Sequence, residues 1–273
     1  MAASPSTPVE LYTREEGEGS TILLVHGLGG DHAVWNAVLP LLSPRFHVLA
    51  PDLRGHGRSP APPGSTYGFE ELDADILGFL DRHQLSHAHV VGMSAGGFLS
   101  LYTAVHHRER LQSLVVVSAA AHCDAHTRSI GINWAEVYRN EGYEAYFLRL
   151  LKDLYYPDWI EAHLDFADHL REQLRHQRLE GALKWGQAIG RFDVRPQLSK
   201  LTVPTLAVQG MDDRVVDPSH GRLLRQAIPG AELRLLPSTG HMVPVERPRE
   251  LAEAISTWVL RSNTANGSGG SKS

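Results

Sequence analysis

The sequence has little cysteine, no excess of basic charge and no long apolar run. Cys123 is the only cysteine in 273 residues, which excludes an intrachain disulfide framework and a paired-cysteine metal or redox site and favours a reducing cytoplasm. With 26 basic and 31 acidic residues the formal net charge is −5, and without a basic stripe we expect no nucleic-acid partner. Apolar runs such as Ile22–Val25 are far shorter than the ~20 residues of a membrane helix, and the first residues do not resemble a secretory signal. We therefore expect a cytoplasmic protein with no membrane association.

The sequence does contain a regular alternation of short β-rich runs and helical patterns. The strand-like runs are Thr21–Val25, Phe46–Ala50, His89–Gly92, Leu114–Val117, Thr205–Val208 and Leu233–Leu236. Most are continuously apolar, which is typical of strands covered on both faces in a parallel sheet. The helical patterns between and after them include Phe69–His83, Gly97–His107, Pro218–Ile228 and Pro248–Leu260. The alternation predicts an α/β fold with a mostly parallel central sheet and helices on both faces.

The stretch from residue 119 to residue 198 interrupts this alternation. It has no β-branched run, is rich in aromatic residues and predicts two or three helices, one of which carries the apolar face Ile160, Leu164, Ala167, Leu170 and Leu174. An ordinary helical insertion with its own core is one interpretation, but long excursions from compact domains often cover a site, which favours a cap. We predict a core domain of residues 1–118 and 199–262, a helical cap or lid of residues 119–198, and a flexible Gly/Ser tail of residues 263–273.

The strongest chemical signal is the pentapeptide Gly92-Met93-Ser94-Ala95-Gly96. It stands directly after a predicted strand and directly before a predicted helix. A Gly-x-Ser-x-Gly motif in this context is a nucleophile elbow, which exposes the serine hydroxyl above the sheet. The turn also directs the backbone N–H of Ala95 toward an incoming carbonyl oxygen. A chance glycine-rich turn is the alternative, and the strand–turn–helix context favours the elbow.

A serine hydroxyl needs a base, and the base needs an acid that orients it. Of the 16 histidines, His241 follows the strand Leu233–Leu236 and precedes the last helix, which puts it at the sheet edge where active sites gather. The acid should lie between the serine and the histidine in the chain, after a strand. The neighbours Asp212 and Asp213 both meet this condition.

Four motifs, taken in order, resemble the α/β-hydrolase superfamily across nearly all of residues 10–260. They are His26-Gly27-Leu28-Gly29-Gly30, Asp52-Leu53-Arg54-Gly55-His56-Gly57-Arg58-Ser59, the elbow around Ser94, and the paired segments Gly210–Asp213 and Gly240-His241. Each motif alone is weakly specific, and together they are highly specific. The resemblance implies an α/β-hydrolase fold with a helical cap inserted into it.

The resemblance also implies a role for each residue of a catalytic triad. Ser94 is the nucleophile, and His241 is the general base and then the general acid. The family usually places the acid three positions after the glycine, here Gly210, which favours Asp213 over Asp212. The resemblance further implies that the backbone N–H of Leu28 joins that of Ala95 in an oxyanion hole. His26 then shapes the loop that carries Leu28.

Metal chemistry has weak support in the sequence. His122, Cys123 and His126 stand close together, but their spacing matches no metal-binding motif. We expect no metal and no cofactor. Cys123 is predicted to pack as a small apolar residue near the start of the cap.

The leading functional hypothesis is a serine hydrolase that cleaves small-molecule carboxylic esters or lactones through an acyl-enzyme intermediate. Carbon–carbon bond hydrolases, thioesterases and acyltransferases use the same triad on this fold and remain alternatives. A non-enzymatic ligand-sensing protein is a further alternative, although relatives of that kind often lose a triad residue. Haloalkane dehalogenases and epoxide hydrolases have an aspartate at the elbow, and the serine here argues against both.

Overall fold

The computed structural model describes residues 7–63, 67–175 and 179–267. The described strands are β1 (Thr13–Glu16), β2 (Thr21–Val25), β3 (His47–Pro51), β4 (Ala88–Met93), β5 (Leu111–Val117), β6 (Thr205–Gly210) and β7 (Glu232–Leu236). They form one seven-stranded sheet in the order β1-β3-β2-β4-β5-β6-β7. Strand β1 pairs with β3 in the antiparallel direction, and every other pair is parallel. The predicted mostly parallel sheet is confirmed.

Alternate residues of the central strands enter two separate cores. In β5, Leu114 and Val116 belong to one buried cluster, and Val115 and Val117 belong to the other. Successive side chains of a strand point to opposite faces, so a strand that is apolar at every position must be covered on both sides. This is why continuous apolar runs in the sequence mark the central strands.

Helices cover both faces of the sheet. Those outside the segment between β5 and β6 are α1 (Leu39–Leu42), α2 (Phe69–Arg82), α3 (Ala95–His106), α9 (Ser219–Ala227), α10 (Val243–Glu246) and α11 (Pro248–Gly267). Helices α2, α3 and α9 bury apolar residues in the first cluster, and α1, α10 and α11 bury theirs in the second. The resulting three-layer arrangement confirms the predicted fold class.

The segment between β5 and β6 is helical. It contains α4 (Ala125–Glu141), α5 (Tyr143–Leu154), α6 (Pro157–Glu161), α7 (Leu164–Arg175) and α8 (Leu179–Ile189). The chain leaves and returns through a neck, in which Cys123 N–H donates to Phe192 O at 3.0 Å and Val194 N–H donates to Ala121 O at 2.8 Å. The division into core and cap domains stays our prediction, and the neck lies close to both predicted boundaries.

The predicted continuous helix over Ile160–Leu174 is interrupted. Helix α6 ends at Glu161 and α7 begins at Leu164. Between them His163 N–H donates to the carbonyl of Ile160, three residues back, at 3.0 Å. A bond over three residues tightens the last turn, so the helix breaks while the apolar spacing continues.

The C-terminal helix is longer than predicted, which corrects the boundary of the tail. Helix α11 extends to Gly267, so residues 263–267 are helical and do not belong to a flexible tail. The Asn263 side chain accepts hydrogen bonds from His89 Nε2 at 3.0 Å and from Gln112 Nε2 at 2.6 Å. These contacts with the sheet hold the last turns of the helix, and residues 268–273 lie outside the described residues. Within the described part of the chain, no helix has both the length and the apolarity to cross a membrane.

Candidate active site

Ser94 lies at a sharp turn between the end of β4 and the start of α3. Its backbone has φ 53° and ψ −124°, a conformation that an L-residue adopts only under constraint. The flanking glycines make the turn possible, because a Cβ atom on Gly96 would lie 2.4 Å from the carbonyl oxygens of both Val25 and His26. Ser94 N–H donates to Val117 O at 2.9 Å and ties the elbow to β5. The predicted strand–turn–helix context is therefore present.

His241 reaches Ser94 from the loop after β7. Its Nε2 atom lies 2.9 Å from Ser94 Oγ, and its side chain is almost completely buried. Its Nδ1 atom lies 3.0 and 2.9 Å from the two carboxylate oxygens of Asp213. A carboxylate only accepts hydrogen bonds, so the proton of the neutral imidazole is on Nδ1. Nε2 is then free to accept the hydroxyl proton of Ser94.

Asp213 is fixed by its own loop. One carboxylate oxygen accepts the backbone N–H groups of Val215 and Val216, each at 2.9 Å. The other accepts Gln209 Nε2 at 3.1 Å. These three hydrogen bonds therefore fix the orientation of the carboxylate that faces the imidazole. Asp212, the alternative considered from the sequence, is exposed to solvent.

The loops that carry the acid and the histidine pack against each other at two glycines. A Cβ atom on Gly210 would lie 2.1 Å from Gly240 O and 2.4 Å from Thr239 O. Only glycine permits backbones to approach this closely. The paired glycines of the sequence motif therefore set the separation between Asp213 and His241.

The loop after β2 lies directly against the nucleophile. A Cβ atom on Gly27 would be 3.0 Å from Ser94 Cβ and 3.5 Å from Ser94 Oγ, which places the adjacent Leu28 beside the elbow. Ala95 is the first residue of α3, where helix N–H groups lack an intrahelical acceptor. The structure thus places Ala95 and Gly27, the residue before Leu28, next to Ser94, and the oxyanion role of Leu28 and Ala95 stays our prediction.

His26 shapes this loop through both ring nitrogens. Nδ1 lies 2.8 Å from Gly27 O, and Nε2 accepts the backbone N–H of Leu53 at 2.9 Å. Because Nε2 accepts and Nδ1 faces a carbonyl oxygen, the ring carries its proton on Nδ1, and burial lowers the pKa of His26 below its usual value. One histidine therefore joins the Leu28 loop to the glycine-rich segment Asp52–Ser59.

Helix α8 lies over the same loop. The Cβ position of Gly186 is 3.9 Å from Leu28 Cδ2, and that of Gly29 is 3.8 Å from Ala182 Cβ. The helix reaches the glycine-rich segment too, because a Cβ atom on Gly181 would lie 2.3 Å from Gly55 O. Helix α8 therefore contacts the loop that carries Leu28, and its role as a cap over the site stays our prediction.

Two of the three residues predicted from the sequence to be weak metal-ligand candidates, Cys123 and His126, have surroundings that disfavour metal binding. Burial raises the pKa of the Cys123 thiol, and His126 Nε2 donates to Arg214 O at 2.8 Å. Among the described residues, the candidate group of metal-ligating atoms is instead Asp31, His32 and Asp52, all within 4.8 Å of one another.

The buried Asp52 carboxylate at the centre of that group holds its own loop. It accepts the backbone N–H groups of His32 and Arg58, each at 2.8 Å. His32 Nδ1 also lies 2.7 Å from an Asp52 oxygen. These contacts assign Asp52 a part in shaping the segment that packs under α8.

Sequence reasoning missed two buried polar residues of the site. Gln209 contacts Asp213, and Glu246 accepts hydrogen bonds from the loop that carries His241. Glu246 stands five positions after His241 in the sequence. A carboxylate so close to a candidate base could have indicated a residue of the site.

The fold and a comparison with known families define the class to which the chain belongs. The family described as alpha/beta hydrolase fold matches residues 20–248. The chain therefore belongs to the α/β-hydrolase family, and it is a hydrolase by its relationship to hydrolases of that family.

Several relatives illustrate the range of that family. The putative carbamate hydrolase RutD of Pseudomonas syringae is 31% identical over 252 residues, which cover 92% of this chain and 97% of the relative. The enol-lactonase of Burkholderia xenovorans is 30% identical with a TM-score of 0.83, covering 92% of this chain and 97% of its own. A thermophilic esterase of Thermogutta terrifontis is 27% identical with a TM-score of 0.84, covering 93% of this chain and 94% of its own.

Proposed function

We propose that this protein is a serine hydrolase that cleaves carboxylic esters or lactones through an acyl-enzyme intermediate. The observation that carries the proposal is the position of His241, whose ring joins Ser94 Oγ at 2.9 Å to the Asp213 carboxylate at 2.9 Å. Nucleophile, base and orienting acid in this order activate a serine hydroxyl.

In the first half of the reaction, Ser94 Oγ attacks the substrate carbonyl while His241 Nε2 takes the hydroxyl proton. Asp213 holds the imidazole in the required tautomer and stabilises the imidazolium that forms. His241 then gives the proton to the departing alcohol oxygen, and the acyl group stays on Ser94. In a lactone, that alcohol remains attached to the acyl chain.

In the second half, water replaces the alcohol. His241 takes a proton from the water, the hydroxide attacks the acyl carbon, and Ser94 leaves as the proton returns to it. The N–H groups of Leu28 and Ala95 are proposed to bind the negative oxygen in both halves. Preorganised donors at such a position contribute about 10²–10³ in rate each.

The relatives support this substrate class and suggest a second. An enol-lactonase and an esterase are similar to the chain over more than nine-tenths of its length. The relative RutD is named a putative carbamate hydrolase, and carbamates present the same kind of carbonyl to a serine nucleophile. Carbamate hydrolysis is therefore the second candidate.

The composition supports a cytoplasmic enzyme with no nucleic-acid partner.

The test combines a covalent probe with a substrate panel. A fluorophosphonate should label the wild-type protein at one residue, Ser94, and Ser94→Ala should abolish labelling and lower ester hydrolysis by roughly three orders of magnitude or more. Ser129→Ala, at an exposed serine of α4, is the matched control and should label fully. The panel contains p-nitrophenyl esters of increasing chain length, simple lactones and aryl carbamates.

Each outcome has a clear reading. If the protein turns over aryl carbamates faster than esters and lactones, carbamate hydrolysis replaces ester and lactone hydrolysis as the proposed activity. A folded Ser94→Ala protein that retains more than about a tenth of the wild-type rate would overturn the serine mechanism.

A further inference from the structure

A buried carboxylate that the proposed reaction does not use lies behind His241. Glu246, the last residue of α10, is only 4% exposed. Its oxygens accept the backbone N–H of Gly240 at 3.1 and 3.0 Å, and one of them also accepts the backbone N–H of Tyr156 at 3.0 Å. Burial raises the pKa of the carboxyl. Glu246 therefore joins the residue before His241 to the segment between α5 and α6.

The same two segments are also joined backbone to backbone. His241 N–H and Met242 N–H both donate to Leu154 O, at 2.8 and 3.2 Å. Gly240 lies so close to this segment that a Cβ atom there would be 2.7 Å from Tyr156 N and 2.8 Å from Leu154 O. The end of α5 is therefore the surface on which the histidine loop rests.

Within this arrangement, Glu246 is the acceptor for the backbone N–H of Gly240. Gly240 is buried, so without the carboxylate its N–H would lack a partner, and a buried unpaired donor destabilises its segment by about 1–3 kcal/mol. The peptide group that Gly240 shares with the preceding residue would then turn to find another acceptor. Because Gly240 precedes His241, that turn displaces the imidazole from Ser94 and Asp213.

We propose that Glu246 is a positioning residue, which holds His241 in its catalytic geometry by fixing the histidine loop on the segment Leu154–Tyr156. The inference rests on the proposed serine hydrolase function. It assigns the segment between α5 and α6 a part in positioning His241. Glu246 itself touches neither the nucleophile nor the acid among the described hydrogen bonds.

The first experiment compares two substitutions at this position. E246A removes both acceptor oxygens and should lower kcat by about 100-fold, since a displacement near 1 Å at a reacting group has this effect. E246Q keeps one acceptor oxygen in the same volume and should lower kcat by roughly tenfold. KM for a short ester should stay within about twofold, because Glu246 does not contact the substrate. E253Q is the matched control. Glu253 is exposed on α11, and its ion pair with Arg234 spans 3.5 Å. The kcat of E253Q should equal that of the wild-type protein.

Two measurements separate positioning from a purely structural role. The fluorophosphonate titrates the fraction of competent sites, so kcat is expressed per titrated site and a loss of folded protein does not lower it. Proton NMR observes the Nδ1 proton of His241, which lies far downfield when it faces a carboxylate. We expect this resonance to shift or broaden in both variants and to be unchanged in E253Q.

The outcomes distinguish this inference from the proposed function. If kcat per titrated site in E246Q equals wild type and the downfield resonance is unchanged, the positioning role is wrong, whatever happens to thermal stability. Should E246A fail to fold, E246Q alone decides by these criteria. If the wild-type protein neither labels nor turns over any substrate, the proposed function fails, and the NMR comparison still decides whether Glu246 positions His241.

Discussion

Asp213 faces His241 at 2.9 Å, whereas Asp212, its neighbour in the chain, is exposed to solvent. The loop separates two identical side chains because the Asp213 carboxylate accepts the N–H groups of Val215 and Val216. A short carboxylate that binds the backbone two and three residues ahead turns the chain around itself. The turn therefore points one aspartate inward and leaves the other outside.

Asp213→Asn should lower kcat by about 10⁴-fold, because an amide can donate to Nδ1 and so favours the wrong imidazole tautomer. Asp212→Asn, the control at the adjacent position, should stay within about twofold of wild type, as surface substitutions generally do. Steady-state ester kinetics on both folded variants measure the difference. A larger loss of kcat in Asp212→Asn than in Asp213→Asn would assign the role of the orienting acid to Asp212.

Gly186→Leu should shift acyl-chain preference toward shorter esters. The Cβ position of Gly186 is 3.9 Å from Leu28 Cδ2, so a leucine there extends over the predicted oxyanion loop. One methylene of lost space changes kcat/KM by roughly tenfold or more. The ratio of kcat/KM for octanoate and acetate esters is the measurement. Leu183→Ala, on the exposed side of α8, should leave the ratio unchanged, and an unchanged ratio in Gly186→Leu would contradict a covering role for the helix.

Two glycine substitutions should change stability in opposite directions. At Gly96 a methyl group would lie 2.4 Å from two backbone oxygens, so Gly96→Ala should lower the free energy of unfolding by about 3 kcal/mol or more. At Gly131, inside α4, a methyl group meets nothing within 4 Å. Gly131→Ala should raise stability by up to about 1 kcal/mol through helix propensity. Urea denaturation of both variants tests the pair, and a Gly96→Ala protein as stable as wild type would show that the elbow tolerates a side chain.

Acid should destabilise the fold partly through His89. Burial lowers the pKa of His89 from 6.5 to about 4, and the ring contacts Ser113 Oγ and Asn263 Oδ1 at 2.7 and 3.0 Å. The unfolded chain then binds a proton near pH 6.5 while the folded chain binds it only near pH 4. The contribution of His89 to stability is therefore complete above about pH 6.5 and decreases as the pH falls toward 4.

His89→Gln is neutral at every pH and should lose less Tm than wild type between pH 7 and pH 4.5, which circular dichroism can follow. His87→Gln, at an exposed histidine two positions away, should lose as much Tm as wild type. An acid-induced loss in His89→Gln equal to that of wild type would assign the effect to other groups.

The parts of the fold that could be predicted from the sequence are those with a strong local signal. Continuous apolarity identified β2 through β6, because strands buried on both faces exclude polar side chains. The same signal missed β1, whose residues Thr13-Arg14-Glu15-Glu16 are polar. This strand lies at the sheet edge and pairs with β3 through its backbone. Backbone pairing at an edge needs an extended conformation and does not require apolar side chains.

By itself the sequence determined the order of the elbow, the acid loop and the histidine loop along parallel strands. Parallel strands bring their carboxyl ends to one edge, so this order was enough to predict that Ser94, His241 and an aspartate meet. Tertiary structure decided which aspartate faces the imidazole and where the last helix ends. It also decided that Glu246 binds Tyr156, 90 residues away in the chain, and that Asn263 binds His89, 174 residues away. Contacts over such separations depend on how whole elements pack, and no local pattern of residues encodes them.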